Sequence, residues 1–118
     1  MINKERLLAT FLEYVQIDSE SRKEADFAAR VAEDLRAIGC EVSFDGAAEK
    51  TGSNTGNLYA TLPGNTEGEA LVFSAHMDTV VPGIGVKPVV ETRAQRSVLF
   101  SICARCALST SPCDALLP

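Results

Sequence analysis

At 118 residues, 46% of them hydrophobic and 23% charged, the chain has the size and balance of one modest globular domain, not of a disordered chain or a fibre. Its net charge of −5 excludes the basic stripe that a nucleic-acid surface requires. No apolar run reaches the roughly 18 residues of a membrane span, and the charged start Asn3-Lys4-Glu5-Arg6 carries neither the apolar stretch nor the cleavage site of a secretory signal, so a cytoplasmic location with no membrane partner is expected.

Leu7, Leu8, Phe11, Leu12 and Val15 fall at helical spacing, which predicts an amphipathic helix over about 3–16. Ser21 followed by Glu24 reads as a capping box opening a second helix. The apolar face of that helix is Phe27, Val31, Leu35 and Ile38, the first three of them core, and Gly39 stands where a left-handed C-terminal cap belongs. Glu41-Val42-Ser43-Phe44 alternates as a half-buried strand. Residues 45–56 form a polar loop in which Asp45, Glu49 and Lys50 are expected to be solvated, and residues 57–62 read as a second strand. After the turn chemistry of Pro63-Gly64-Asn65, the run Ala70-Leu71-Val72-Phe73-Ser74-Ala75 is nearly continuous in its hydrophobicity, as a strand covered on both faces would be. Gly83 and Gly85 allow a turn beyond it. The order of elements points to a layered α/β domain.

The composition breaks near residue 92. Residues 1–91 hold 8 basic and 15 acidic residues, whereas residues 92–118 hold 3 and 1, and every glycine lies at or before Gly85. Of the four cysteines, Cys40 stands alone beside the helix cap, as a small hydrophobe would, while Cys103, Cys106 and Cys113 crowd the end. Without a secretory signal a disulfide framework is not expected. Val98-Leu99-Phe100 has the composition of a short strand. Cys103-Ala104-Arg105-Cys106 with Cys113 and His76 could form a three-Cys, one-His zinc site or a redox pair, although no knuckle or helix start surrounds it.

The residues with the clearest chemistry are His76-Met77-Asp78-Thr79, directly after the apolar run. In extended chain, residues two apart share a face, so His76 and Asp78 point the same way. Open α/β sheets bind ligands just beyond the carboxyl ends of their strands. A carboxylate beside an imidazole fixes its tautomer and raises its basicity, the usual support of a zinc-bound histidine. From spacing alone the pair fits either that role or a satisfied structural histidine.

The stretch Asn54-Thr55-Gly56-Asn57-Leu58-Tyr59-Ala60-Thr61-Leu62-Pro63-Gly64, followed by Leu71-Val72-Phe73-Ser74-Ala75-His76-Met77-Asp78-Thr79-Val80, resembles the opening of the peptidase T branch of the dizinc exopeptidases. The helical start with Phe11, Leu12, Val15, Ile17, Asp18 and Ser19, and the stretch Gly85-Val86-Lys87-Pro88-Val89-Val90, are similar to it as well. The resemblance covers residues 1 to about 91. It implies a three-layer α/β/α catalytic domain and a metallopeptidase that binds two zinc ions and hydrolyses short peptides. It also implies that His76 is a zinc ligand and Asp78 the catalytic-site acid that orients it. In the family, two zinc ions acidify a water, a glutamate takes its proton, and the hydroxide attacks the scissile carbonyl.

The pattern is departed from at Thr92-Arg93-Ala94-Gln95-Arg96, where the family continues into a Gly- and Asp-rich segment. His76 is the only histidine. The expectation is therefore an N-terminal part of the catalytic domain over 1–91 and an unrelated, out-of-frame tail over 92–118. The chain would then be an inactive truncated remnant, with marginal stability from an open strand edge. The alternative is a small non-enzymatic interaction protein using an exposed sheet edge or the Cys-rich tail.

Overall fold

The computed structural model describes residues 2–65, 67–92 and 98–103. Helix α1 spans Lys4–Tyr14 and starts where Asn3, in extended conformation, accepts a hydrogen bond from the Arg6 N–H through its side-chain oxygen. Helix α2 spans Ala25–Ala37. Tyr14 joins the two. Its ring meets Phe27 edge-on at 5.2 Å between centroids, and its hydroxyl donates to Asp34 at 2.8 Å. Arg30 adds ion pairs to Glu13 at 2.7 Å and to Asp34 at 3.2 Å. Burial, then the hydrogen bond to the Asp34 carboxylate, pushes the Tyr14 hydroxyl up to about 12.

The capping box expected at Ser21 and Glu24 does not form. Glu24 sits at the N-cap in helical conformation without a side-chain cap bond. The Ala25 N–H is met instead by Asn54 Oδ1, from far along the chain, at 3.0 Å. Residues 20–23 make a turn closed by Lys23 N donating to Glu20 O at 2.8 Å, with Arg22 at φ 73°. This turn separates Ser21 from the helix it was expected to open. The far end of α2 follows expectation. Gly39, at φ 93°, and Cys40 donate their N–H groups to Arg36 O and Leu35 O, the paired bonds of a Schellman cap.

The covered row of α2 is Ala28 and Ala32, one turn apart and each 1% exposed. Phe27, Val31 and Leu35, expected in the core, are only half-buried, and Ile38 is exposed. The small alanines let the helix approach its neighbours closely, so the larger residues flank the contact. Cys40 is half-buried and, among the described residues, unpaired.

Helix α2 packs on a two-stranded antiparallel sheet of β1 (Glu41–Phe44) and β2 (Leu58–Thr61), in register from Glu41 opposite Thr61 to Phe44 opposite Leu58. Their connection carries a short helix, α3 (Ala47–Thr51), where the sequence suggested only loop. Asp45 was expected to be solvated; it stays partly open to solvent and is also tied to the chain by hydrogen bonds. Its carboxylate accepts from Ala47 N at 3.0 Å, Asn57 N at 2.8 Å, Asn57 Nδ2 at 2.9 Å and the Tyr59 hydroxyl at 3.3 Å. The Asn57 side-chain bond, followed by the backbone donors, holds its carboxyl down at about 2. Gly56 lies so close that a Cβ there would sit 2.1 Å from Asp45 O.

The apolar run 70–75, expected to be a strand covered on both faces, forms no strand, and Leu71, Val72 and Phe73 are 80%, 82% and 86% exposed. Such a run needs a ladder on each edge and a layer on each face. Among the described residues β1 and β2 pair only with each other, and β3 (Lys87–Thr92) pairs antiparallel with β4 (Val98–Cys103). The class is α/β, and the described residues form a helix layer on a sheet. The strand suggested at 98–100 lies within β4, whereas Cys106 and Cys113 of the Cys-rich proposal lie outside the described residues.

Two predictions follow from the β1–β2 connection. Gly56→Ala would force backbone apart at Asp45 and should cost on the order of 1–3 kcal/mol, read as a lower denaturant midpoint at constant slope. The Asp45 carboxyl is depressed from 3.8 to about 2, so its stabilising contribution is complete above the unfolded value and is lost as pH falls toward about 2. The stability gap between the chain and Asp45→Ala should therefore close over that window in melts at stepped pH. A constant gap would show that the carboxylate's charge does not contribute.

Candidate functional site

The segment after the apolar run is held by the linker between α1 and α2. Ser19 is 2% exposed, and its hydroxyl donates to Met77 O at 2.6 Å. Thr79 returns the contact from its backbone N–H to Ser19 O at 2.7 Å and from its hydroxyl to the same oxygen at 3.2 Å. Glu20 and Thr79 form a parallel bridge. Farther on, Gly83 N donates to Glu20 Oε1 at 3.3 Å and Gly85 N to Asp18 Oδ1 at 2.7 Å. Residues 18–21 thus clasp residues 77–85 along their length.

The clasp fixes which side chains face which way. Met77 and Thr79 line an apolar recess of about 500 Å³, shared with Phe11, Tyr14, Phe27 and Val86. His76 and Asp78, the alternate positions, do not line it. The imidazole is 85% exposed, and its Nδ1 lies 3.0 Å from Asp78 Oδ1 and 2.9 Å from Asp78 O. Both neighbours are acceptors, so in the neutral ring Nδ1 is the protonated nitrogen and Nε2 carries the lone pair. The other carboxylate oxygen, Oδ2, accepts a hydrogen bond from the Ser21 hydroxyl. The Ser21 bond first, then the His76 bond, holds the Asp78 carboxyl below the ordinary carboxylate value.

Sequence spacing placed His76 and Asp78 side by side, and the structure brings them into contact. It missed Ser19 and Ser21, because short hydroxyl residues between two helices look like any loop or cap. A second, polar recess of about 290 Å³ lies among Asp18, Glu20, Lys23, Asp26 and Asn54, and neither His76 nor Asp78 lines it. Glu24 stands nearby. Burial alone would raise its carboxyl, but the bonds from Ser53 and from Arg22 N bring it below the ordinary value.

A catalytic zinc takes three protein ligands plus water. Among the described residues no group of three or more His, Cys, Asp or Glu side chains could hold a metal. The bare Nε2 of His76 fits one corner of such a site and no more. Among the described residues no helix is long and apolar enough to cross a membrane.

No family model matches the chain. It is 47% identical over 91 residues to the uncharacterized protein YqjE of Bacillus subtilis (strain 168), covering 77% of this chain and 24% of that protein. It is 31% identical over 121 residues to peptidase T of Geobacillus sp. (strain WCH70), covering 90% of this chain and 28% of the other. Among solved structures, a tripeptidase from Staphylococcus aureus subsp. aureus Mu50 matches with a TM-score of 0.74 at 45% identity, covering 77% of this chain and 24% of that one. The chain spans about a quarter of the length of these relatives. In sequence and in α/β fold, the chain is similar, over the portion it shares with them, to the N-terminal part of these peptidase T-like relatives.

Proposed function

We propose that this chain carries one corner of a zinc-dependent peptidase site acting on short peptides, with His76 Nε2 as the metal ligand and Asp78 as the acid that orients it. The observation that carries the reading is the contact of His76 Nδ1 with Asp78 Oδ1 at 3.0 Å, on a ring that leaves Nε2 toward solvent. Similarity to a tripeptidase and to peptidase T supports short peptides as the substrate class. Zinc, when bound in such sites, supplies a water acidified to a pKa of about 7. This chain's residues contribute by holding the imidazole in one tautomer and one direction. The general base and the remaining ligands would come from sequence outside the matched quarter, so the 118-residue chain is proposed to be inactive by itself.

The test is direct. The purified chain with added zinc should bind the metal weakly, lose that binding in His76→Ala, and leave a tripeptide uncleaved. Turnover in the ordinary enzymatic range, about 1–10³ per second, would overturn the inactivity. Zinc binding that survives His76→Ala would overturn the ligand assignment.

A second reading is favoured by the exposure of Leu71, Val72 and Phe73 at 80–86%. In it the run is an edge that pairs with another polypeptide, and the chain acts by association. Sedimentation should then show self-association or complex formation that Val72→Lys reduces. A strictly monomeric chain that engages no peptidase-derived polypeptide would dismiss it.

A further inference from the structure

Ser21 was expected to cap α2, and the structure gives its hydroxyl to Asp78 instead. The contact joins residues 57 apart in the chain, so it is a property of the fold and not of local sequence. Its setting is built on both sides. Behind it, the turn at 20–23 is closed by Lys23 N and Glu20 O, with Arg22 in a left-handed conformation at φ 73° that directs Ser21 away from the helix. In front, the Ser19–Met77 and Ser19–Thr79 bonds fix the backbone that carries Asp78.

Asp78 has two carboxylate oxygens, and the structure divides them. Oδ2 receives the Ser21 hydroxyl, and Oδ1 faces His76 Nδ1. We infer that Ser21 is a positioning residue: by occupying Oδ2 it holds the carboxylate in the rotamer that presents Oδ1 to the imidazole, and so adds to the Asp78 backbone oxygen, 2.9 Å from Nδ1, in keeping the proton on Nδ1 and the lone pair on Nε2. A solvated imidazole prefers the opposite tautomer, with its proton on Nε2. An exposed histidine left to itself would therefore offer the wrong nitrogen outward. This inference rests on the reading of His76 as a metal ligand only for its purpose; the tautomer itself is a property of the metal-free chain.

The test uses the full chain without metal. His76 is its only histidine, so the ring nitrogens give a single unambiguous pair of resonances in a long-range proton–nitrogen correlation. The spectrum is recorded in alkaline buffer, on the high-pH plateau of the ring resonances. The wild-type chain should show the Nδ1–H form. Ser21→Ala should lower the ratio of Nδ1–H to Nε2–H about fivefold, the scale of one hydrogen bond, while Ser21→Thr, which keeps a hydroxyl, should restore it. If the alanine variant does not fold, Ser21→Cys, with similar volume and a weaker donor, gives the same reading.

An unchanged ratio in Ser21→Ala or Ser21→Cys would overturn the inference, as would a threonine variant that behaves like alanine. A merely structural tether would alter stability and leave the tautomer alone. Zinc added to the wild-type chain separates the two readings. A tautomer shift in Ser21→Ala with no zinc effect on Nε2 keeps the positioning role and removes the metal ligand. A zinc effect with no tautomer shift does the reverse.

Discussion

One buried hydroxyl organises the rest of this molecule. Ser19 is nearly inaccessible, and it connects the linker between the first two helices to Met77. Take that hydroxyl away and the part-buried Met77 carbonyl loses its donor, at a cost of about 0.5–1.5 kcal/mol. More is at stake than energy. Extended chain alternates its faces, so a slip of one residue in this pairing would turn Met77 outward and bury His76. The bonds from Thr79 back to Ser19 remove that freedom.

The clasp is only as rigid as the helices that hold its ends. Tyr14 closes α1 against Phe27 and Asp34 of α2, on either side of the ten residues that make the linker. The Arg30 ion pairs reinforce this junction weakly, because exposed pairs contribute little. The phenol and ring contact carry more, since they combine burial with a charge-assisted bond. α2 in turn relies on Asn54 for its first free N–H, and Asn54 belongs to the loop closed by Asp45. Hairpin loop, helix start and clasp form one continuous chain of dependence that ends at the imidazole.

Much of this was legible in the sequence, and the boundary between what was and was not has a physical basis. Periodicity found α1, α2 and β1 because apolar residues recur along each of them at the spacing of its own backbone. Gly39 was legible because a left-handed cap is a local requirement. The pairing of His76 with Asp78 was legible because it follows from a spacing of two. The rest depends on contacts across the chain. Ser21 looked like a cap because Glu24 stands three residues on, and only the fold reveals that its hydroxyl goes to Asp78. Asp45 looked solvated because the sequence does not show that Asn57 and Tyr59 return to meet it. The run at 70–75 carries the composition of an interior strand, yet composition states what a segment tolerates, not whether neighbours are there to cover it.

That run also bears on how the chain behaves when crowded by its own copies. Ala70–Ala75 contains no charge, while Glu67 and Glu69 precede it and Asp78 follows. Acidic residues at the borders of an apolar stretch act as gatekeepers, since stacking two copies brings like charges together. The chain's net charge of −5 adds to the same repulsion. The protection is electrostatic and therefore conditional: at molar salt the screening length shrinks to about 3 Å, and the stretch is left without its guard.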